Sequence, residues 1–355
     1  IVWMMPIYPI GVKERKGTLG SYYAISDYCA TNPEFGTLED FDAFVAKAHE
    51  LDLKVIIDWV ANHTSPDALW ITERPADWYV RDEQGNTIVQ YDWTDIAKLN
   101  YDNYDMRAEM EQCMRFWMAR GIDGFRCDMA CEMPFDFWKS VIPSIRKDYP
   151  QMYWLAEGEH TELHNGSFDA SYAWELHHLL NAIARGEKGV AELKEYIAKD
   201  AAAHPAEAFR LMFTSNHDEN SWAGTEFERM GDAAKVMAVL TFTLPNGQPL
   251  IYTGQEMGWN KRFEFFEKDH IPAWECNEYA QLYKDLTSLR HNNAALAAGE
   301  RGGKIEYIED VPAGVFAFTR AVEGNSVTVY ANFTKEPISF NDINLAAWGW
   351  HINTK

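Results

Sequence analysis

The sequence has few cysteines, no long apolar run and a shortage of basic residues relative to acidic ones. Its five cysteines are an odd number without a C-x-x-C pair, which argues against a disulfide scaffold and a cysteine zinc site. We expect buried thiols, which favour a cytoplasmic protein only weakly, so no localisation is assigned. No apolar stretch approaches the roughly 20 residues that a membrane helix needs, so membrane insertion is not predicted.

Acidic residues outnumber basic ones by 54 to 32, which gives a formal net charge of −22. Such a surface repels phosphate backbones and anionic membranes, so nucleic acid is excluded as a partner. Neutral or cationic ligands remain possible for such a surface. The hydrophobic content of 47% is typical of a globular enzyme, and the aromatic content of 14% also suits sugar rings, whose C–H faces are apolar.

Short apolar runs alternate with amphipathic helices from residue 1 to about residue 300. This alternation predicts an α/β fold with a parallel sheet and right-handed crossovers. After residue 301 the pattern changes to short strands separated by turn residues, which predicts a small antiparallel β domain over 301–355. The catalytic domain is therefore predicted over 1–300, with the irregular stretch 64–104 as an inserted subdomain.

The stretch from Gly121 to Ala130 is the centre of the predicted sheet. It follows an amphipathic helix and begins a strand on which Arg126 and Asp128 point to the same side. Taken by itself, such a pair is more often a buried structural ion pair than a catalytic site.

Further polar side chains follow the other predicted strands, which changes this interpretation. They are Asp58, Asn62 and His63, then Glu157 with Glu159, and then Asn216, His217 and Asp218. In a parallel barrel the carboxyl ends of the strands meet at one mouth, where barrel enzymes place their chemistry. Converging carboxylates suit retaining glycoside hydrolysis, which needs two of them about 5 to 5.5 Å apart. We expect Arg126 to lower the pKa of Asp128, and the apolar run before Glu157 to keep that acid partly protonated.

These motifs resemble those of the α-amylase family of glycoside hydrolases, over nearly the whole chain. The four motifs are Asp58-Trp-Val-Ala-Asn62-His63, Gly124-Phe-Arg126-Cys-Asp128, Ala156-Glu157 and Asn216-His217-Asp218. The resemblance implies a TIM (β/α)8 barrel with a short subdomain inserted after the third strand and a small C-terminal antiparallel β domain. It also implies that Ile1 to Pro6 is the second barrel strand, so a first strand-helix unit is expected upstream of this sequence.

The resemblance also implies roles for individual residues. Asp128 corresponds to the nucleophile, Glu157 to the general acid/base and Asp218 to the carboxylate that stabilises the transition state. The implied substrate-binding residues are Tyr23, Asp58, His63, Arg126, His217 and Arg262. The implied reaction is cleavage of α-1,4 bonds in starch-like glucans or malto-oligosaccharides with retention, through a covalent glycosyl-enzyme.

Two departures from the family pattern leave the specificity and the metal requirement open. Many α-amylases carry Lys-His after the nucleophile, whereas Ala130-Cys131-Glu132 stands here and is closer to the Ala-Asn-Glu of cyclomaltodextrinases and neopullulanases. Asn62 matches a calcium ligand of the family, but Asn100 replaces an aspartate, which weakens a hard-cation site. No cofactor is required by the implied chemistry, and calcium stays a candidate.

Alternative functions use the same residues. A transglycosylase, or a cyclomaltodextrinase-like enzyme acting on short or branched α-glucans, would share the covalent intermediate. A non-catalytic sugar-binding barrel is less favoured because all three acids are present. A metal hydrolase is disfavoured because no H-x-x-x-H pattern occurs. Within the insertion, Trp70, Trp78 and Trp93 either include a residue that lines the cleft or form only a local core.

Overall fold

A computed structural model describes residues 1–271 and 273–355. The described chain divides into two compact units. The first unit contains residues 1–171 and 265–268, and the second contains residues 172–264 and 269–355. The division at residue 300 that the sequence pattern indicates stays a prediction.

The first unit is built on parallel strands that alternate with helices. Its strands are β1 Val2–Met4, β2 Val55–Val60, β3 His63–Thr64, β4 Ala97–Lys98, β5 Gly124–Asp128, β6 Tyr153–Ala156 and β7 Ala170–Tyr172, whose last residue belongs to the second unit. Its helices are α1 Leu38–Glu50, α2 Leu69–Glu73, α3 Tyr104–Met118 and α4 Phe135–Arg146. The parallel sheet has the order β1-β2-β5-β6-β7, and β3 pairs with β4 in a separate antiparallel ribbon.

Helix α1 shows how local sequence starts an element. Thr37 caps it and Asp40 completes the capping box, as the Thr-x-x-Asp pattern predicts. Phe41, Val45 and Ala48 lie on its buried face. The capping box therefore defines where the helix begins, and the apolar stripe packs against the core.

Strand β5 lies between β2 and β6, with all five of its residues buried. A Cβ atom at Gly124 would collide with the backbone oxygen of Tyr153 on β6, so only glycine allows this close approach. The register places Asp58 of β2 directly beside Arg126 of β5. In a parallel pair, side chains at such positions point to the same side of the sheet.

Between Thr64 at the end of β3 and Tyr104 at the start of α3, the inserted stretch contains α2, β4, a single 3-10 turn and isolated bridges. Trp70 packs at 5.1 Å from the ring of Trp78 and at 4.9 Å from the ring of Tyr28. Both tryptophans are buried. They therefore form part of the core rather than a ligand surface.

The second unit continues the α/β alternation. Its helices are α5 Trp174–Ala184, α6 Val190–Ala203, α7 Glu226–Met230, α8 Ala234–Thr243 and α9 Glu278–Asn292, and its parallel strands are β8 Phe209–Met212 and β9 Gly247–Pro249. Strand β9 ends at Pro249. The ladder to β8 ends where the N–H of Leu250 donates to the carbonyl of Met212, and the chain then turns away.

The C-terminal part of the second unit is antiparallel, as predicted. Its strands are β10 Lys304–Tyr307, β11 Val315–Val322, β12 Asn325–Asn332, β13 Ile338–Phe340, β14 Ile343–Leu345 and β15 Trp350–Thr354. Four of them pair in the order β10-β11-β12-β15, and β13 pairs with β14. The buried Arg320 of β11 donates to the carbonyls of Thr243 and Leu244 at the end of α8. This side chain ties the β sheet to the α/β part of the same unit.

The cysteines differ from the expectation of five buried thiols. Cys113 and Cys127 are buried and Cys29 is half-buried, but Cys131, in the 3-10 turn Ala130–Glu132, and Cys276 are exposed. Across the described ranges, none of the helices is both long and apolar enough to cross a bilayer.

Candidate active site

Three carboxylates of the first unit meet on one guanidinium. Nη1 of Arg126 donates to Oδ1 of Asp58 and to Oδ1 of Asp128, each at 2.9 Å. Nη2 of Arg126 lies 3.0 Å from Oε2 of Glu157. The Arg126 side chain is fully buried. The structure thus brings together four residues that the motifs placed at three different strand ends.

The backbone around β5 and β6 explains how Glu157 reaches this cluster. Glu157 directly follows β6, and its N–H donates to the carbonyl of Cys127 at 3.0 Å. Met129, the residue after Asp128, adopts a left-handed conformation with φ 47°. In this conformation its N–H donates to Oε2 of Glu157 at 2.8 Å. The turn after the strand therefore holds the carboxylate beside Arg126.

Two aromatic side chains complete the surroundings of Asp58. The hydroxyl of Tyr23 donates to Oδ2 of Asp58 at 3.0 Å, and its contact with substrate stays a prediction. The indole N–H of Trp3 donates to the same oxygen at 3.2 Å, and its ring lies 5.2 Å from the Arg126 guanidinium carbon. Trp3 was not among the predicted site residues. Its residue type could have indicated a role in the site, since Trp3 is the one side chain of β1 that combines a large ring with a polar donor.

Burial dominates the electrostatics of the two aspartates. It raises the pKa of Asp58 to about 6, although Arg126 opposes the shift. Burial, and next the negative charge of Glu157, raise the pKa of Asp128 well above its ordinary value, again against the effect of Arg126. Arg126 lowers the pKa of Asp128, as expected, but the net shift is upward, so the expected lowered pKa is wrong. The arginine limits the shift but does not reverse it, because burial and the charge of Glu157 outweigh its effect.

The expected surroundings of Glu157 also need correction. The apolar run that precedes it forms β6, but the carboxylate itself extends away from that run. It forms an ion pair with Arg126 and accepts a hydrogen bond from the N–H of Met129. The Glu157 carboxylate therefore contacts polar groups, and the expected apolar surroundings are wrong.

The shifted pKa of Asp58 predicts a pH-dependent stability. Because its folded-state pKa of about 6 exceeds the ordinary 3.8, the folded protein binds this proton more tightly than the unfolded chain does. The stabilisation is complete below about pH 4 and is lost as the pH rises to about 6. Asp58→Asn lacks this titration, so its free energy of unfolding relative to wild type is expected to rise by up to roughly 3 kcal/mol between pH 4 and 7. Denaturant unfolding at several pH values tests this, and a difference that does not change with pH would contradict it.

His63, another predicted site residue, lies just beyond β2 and is 2% exposed. Burial lowers its pKa to about 4, against a smaller opposing effect of the Tyr23 backbone carbonyl. The imidazole is therefore neutral at pH 7 and acts as a hydrogen-bonding group rather than as a cation. The ring of Trp93, from the insertion, lies 5.9 Å away in an edge-on arrangement.

Substitutions of Trp70 and Trp93 in the insertion are therefore expected to have different effects on stability and activity. Trp70→Ala removes a buried ring and is expected to cost roughly 3 to 5 kcal/mol of stability. Trp93→Ala, which removes the ring beside His63, is expected to raise KM on malto-oligosaccharides with a smaller change in melting temperature. Thermal melts and steady-state kinetics of both variants test the distinction. Equal losses of stability in the two variants would assign Trp93 to the core as well.

The second unit holds the fourth motif. Asn216, His217 and Asp218 follow β8, and Oδ1 of Asn216 accepts the N–H of Glu219 at 2.8 Å. Nε2 of His217 lies 3.3 Å from Oδ2 of Asp218. Glu219 is itself bound by the buried His177 at 2.9 Å. This polar support for the motif was not anticipated, because α5, which carries His177, lies about 40 residues earlier in the chain.

Arg262 also belongs to the second unit. Its Nε donates to Oε2 of Glu228 at 2.8 Å, and both side chains are about half exposed. Arg262 is thus paired with an acidic residue of the same unit, and its predicted contact with substrate stays a prediction.

The candidate calcium ligands do not fit a calcium site. Asn62 Oδ1 is buried and accepts no hydrogen bond from the described residues, so it is one available oxygen. The side chain of Asn100, however, is engaged by the carbonyl of Asp77 and the N–H of Asp102. In the ranges 1–271 and 273–355, no group of three or more His, Cys, Asp or Glu side chains could hold a metal ion. Calcium takes about six to eight oxygen ligands, usually including carboxylates, and this donor set does not supply them.

The sequence profile of "Alpha amylase, catalytic domain" matches residues 1–87 and 72–294. The chain belongs to the alpha-amylase family. It is 30% identical over 328 residues to the alpha-amylase MalA of Haloarcula japonica, a match that covers 89% of this chain and 48% of that protein. It is 27% identical to a cyclomaltodextrin glucanotransferase of Bacillus sp. (strain 17-1), with 78% of this chain and 44% of that protein covered.

Among solved structures, the crystal structure of an alpha-amylase from Lactobacillus plantarum is similar, with a TM-score of 0.87 and 27% identity. The similarity covers 99% of this chain and 90% of that one. It confirms the predicted fold class, an α/β barrel fold followed by a small antiparallel β domain. The chain spans about half the length of the two curated relatives named above.

Proposed function

We propose that this protein is a retaining glycoside hydrolase that cleaves α-1,4 bonds of starch-like glucans or malto-oligosaccharides. The observation that carries the proposal is the cluster in which Asp58, Asp128 and Glu157 share the buried Arg126. Two carboxylates held together at the end of parallel strands are what a double displacement at a sugar carbon requires. The membership of the chain in the alpha-amylase family supports the same chemistry.

In the proposed mechanism, Oδ2 of Asp128 attacks the anomeric carbon, since Oδ1 is held by Arg126. Glu157 gives a proton to the leaving glycosidic oxygen and later removes one from the attacking water. Arg126 and Tyr23 hold Asp58, whose buried carboxyl accepts hydrogen bonds from both. Asp218 of the second unit is assigned the stabilisation of the transition state by its motif.

The proposal is tested by incubating the protein with maltoheptaose and separating the products over time. Shorter malto-oligosaccharides, released first as the α-anomer, are the expected result. Asp128→Asn, purified in the same way, controls for contaminating amylase. If the wild type yields no products, the proposal fails and a sugar-binding role takes its place.

Transfer to a second sugar is the alternative that specific observations favour. The segment Ala130-Cys131-Glu132 resembles that of cyclomaltodextrinases and neopullulanases, and one relative carries the name of a glucanotransferase. Both reactions share the glycosyl-enzyme and differ in the acceptor. Products longer than seven glucose units in the maltoheptaose assay would indicate transfer.

We further propose that activity does not depend on calcium. The donor set argues against a bound cation, since Oδ1 of Asn62 is its one available oxygen, whereas the Asn100 side chain is taken up by Asp77 and Asp102. We expect the protein treated with EDTA and then freed of it to retain its melting temperature and its maltoheptaose activity, each within experimental error. A drop in melting temperature that calcium restores, and magnesium does not, would contradict the proposal.

A further inference from the structure

Four polar side chains of the first unit form one hydrogen-bonded row. Nε2 of Gln90 donates to Oε2 of Glu132 at 3.0 Å, and Nδ2 of Asn62 donates to Oε1 of Gln90 at 2.8 Å. Nδ2 of Asn62 also lies 3.0 Å from Nδ1 of His63. The row of Glu132, Gln90, Asn62 and His63 therefore joins the end of β2, the insertion and the segment after β5.

The direction of the hydrogen bonds in this row is set at Glu132. A carboxylate only accepts hydrogen bonds, and here both oxygens do so, since the hydroxyl of Tyr91 donates to Oε1 at 3.1 Å. Gln90 must therefore turn its NH2 group toward Glu132 and its oxygen toward Asn62. Asn62 can then meet that oxygen only with its own NH2 group.

The last member of the row is His63. Nδ1 of this ring faces the NH2 group of Asn62, so it must accept, and the proton of the neutral imidazole must be on Nε2. Asn62 and His63 are 1% and 2% exposed, and Gln90 is 8% exposed. At such burial, two donors or two acceptors facing each other are strongly unfavourable, because water does not replace the lost partner.

Among the four members of the row, only Glu132 opposes the opposite direction; outside the row, the backbone carbonyl of Tyr23 is a further hydrogen-bond acceptor for His63. With both amides turned round, Asn62 would accept from Gln90 and from an Nδ1–H of His63. The oxygen of Gln90 would then face a carboxylate oxygen, and these two acceptors repel. A residue able to donate at position 132 would remove this penalty.

We propose that Glu132, acting through Gln90 and Asn62, holds His63 in the tautomer with the proton on Nε2. Glu132 and Gln90 are thus positioning residues, and the Nε2–H of His63 is the donor offered to a sugar hydroxyl. The second statement rests on the proposed function, whereas the first concerns only the protein.

Nuclear magnetic resonance of protein with 15N-labelled histidine tests the tautomer directly. Long-range 1H–15N spectra at pH 7 distinguish the protonated ring nitrogen from the bare one, and His63→Gln assigns the signals. Wild type is expected to show only the Nε2–H form. Glu132→Gln, whose amide can donate, is expected to populate the Nδ1–H form, and so is Gln90→Leu, which interrupts the row.

Tyr91→Phe is the matched control. It removes the other hydrogen bond of Glu132 but leaves the row intact, so the tautomer of His63 is expected to stay as in wild type. Thermal melts show which variants are folded. Because two variants interrupt the row at different places, the failure of one to fold leaves the other as the test.

Steady-state kinetics separate the positioning role from the proposed function. Glu132→Gln is expected to lower kcat on maltoheptaose about 10-fold, in parallel with the Nδ1–H population. An Nδ1–H signal in wild type, or an unchanged Nε2–H signal in folded Glu132→Gln and Gln90→Leu, would overturn the proposed row. The expected spectra in a protein that cleaves no α-glucan would support the row and refute the proposed function.

Discussion

Asp128→Ala is expected to lower activity on malto-oligosaccharides by at least about 10⁴-fold, because it removes the nucleophile of the proposed double displacement. Asp128 is the strongest candidate for that role, since Arg126 holds one of its oxygens at 2.9 Å and leaves the other to react. Its raised pKa adds a pH dependence: activity of the wild type is expected to fall on acidification at a higher pH than an ordinary aspartate would dictate.

Added azide distinguishes loss of the nucleophile from loss of the fold. In Asp128→Ala, azide fills the vacated position and attacks the anomeric carbon from the side that the carboxylate used. With an α-glycosyl fluoride as substrate, the expected product is the inverted β-glycosyl azide. A folded variant that keeps wild-type activity, or that yields the α-azide, would show that Asp128 is not the nucleophile.

Glu157→Ala is expected to show the complementary behaviour. Hydrolysis of malto-oligosaccharides should fall roughly 10² to 10⁴-fold, because the leaving oxygen is no longer protonated. An α-glycosyl fluoride needs no such proton, so the glycosyl-enzyme should still form on Asp128. Azide then attacks that intermediate from the opposite side and gives the retained α-glycosyl azide. The anomers of the two azide products are determined by proton NMR.

Glu159→Ala provides the matched control for this experiment. It removes a carboxylate two residues along the same segment and is expected to leave the azide chemistry unchanged. Full activity of Glu157→Ala together with loss in Glu159→Ala would move the acid/base to Glu159. The same azide anomer from Asp128→Ala and Glu157→Ala would contradict the proposed division of roles.

The positions of these acids were predictable because they depend on short-range geometry. The alternation of side chains along a strand puts Arg126 and Asp128 on one side, and parallel pairing then brings Asp58 beside them. Glu157 follows the next strand in the sheet. The change to short strands likewise predicted the antiparallel sheet after residue 301, and the Thr-x-x-Asp pattern predicts the capping box of α1.

The electrostatics of the site were not predictable in the same way. The sequence shows that Arg126 neighbours Asp128, but a pKa depends on every charge nearby and on how much water is excluded. Only the folded chain reveals that one guanidinium serves three carboxylates and that burial outweighs its effect. The partners of Glu157 were not predictable either. One of them is the backbone N–H of Met129, which is oriented by the left-handed backbone conformation of that residue.

Sequence by itself therefore determined the fold class, the family and the set of acids, since these follow from local periodicity and from motifs of a few residues. Tertiary structure decided which distant side chains support them. Trp3 on Asp58, His177 on Glu219, and Gln90 between Asn62 and Glu132 are contacts between residues about 30 to 55 positions apart. No local pattern encodes such pairs, because each depends on where loops of irregular sequence come to lie once the strands have paired.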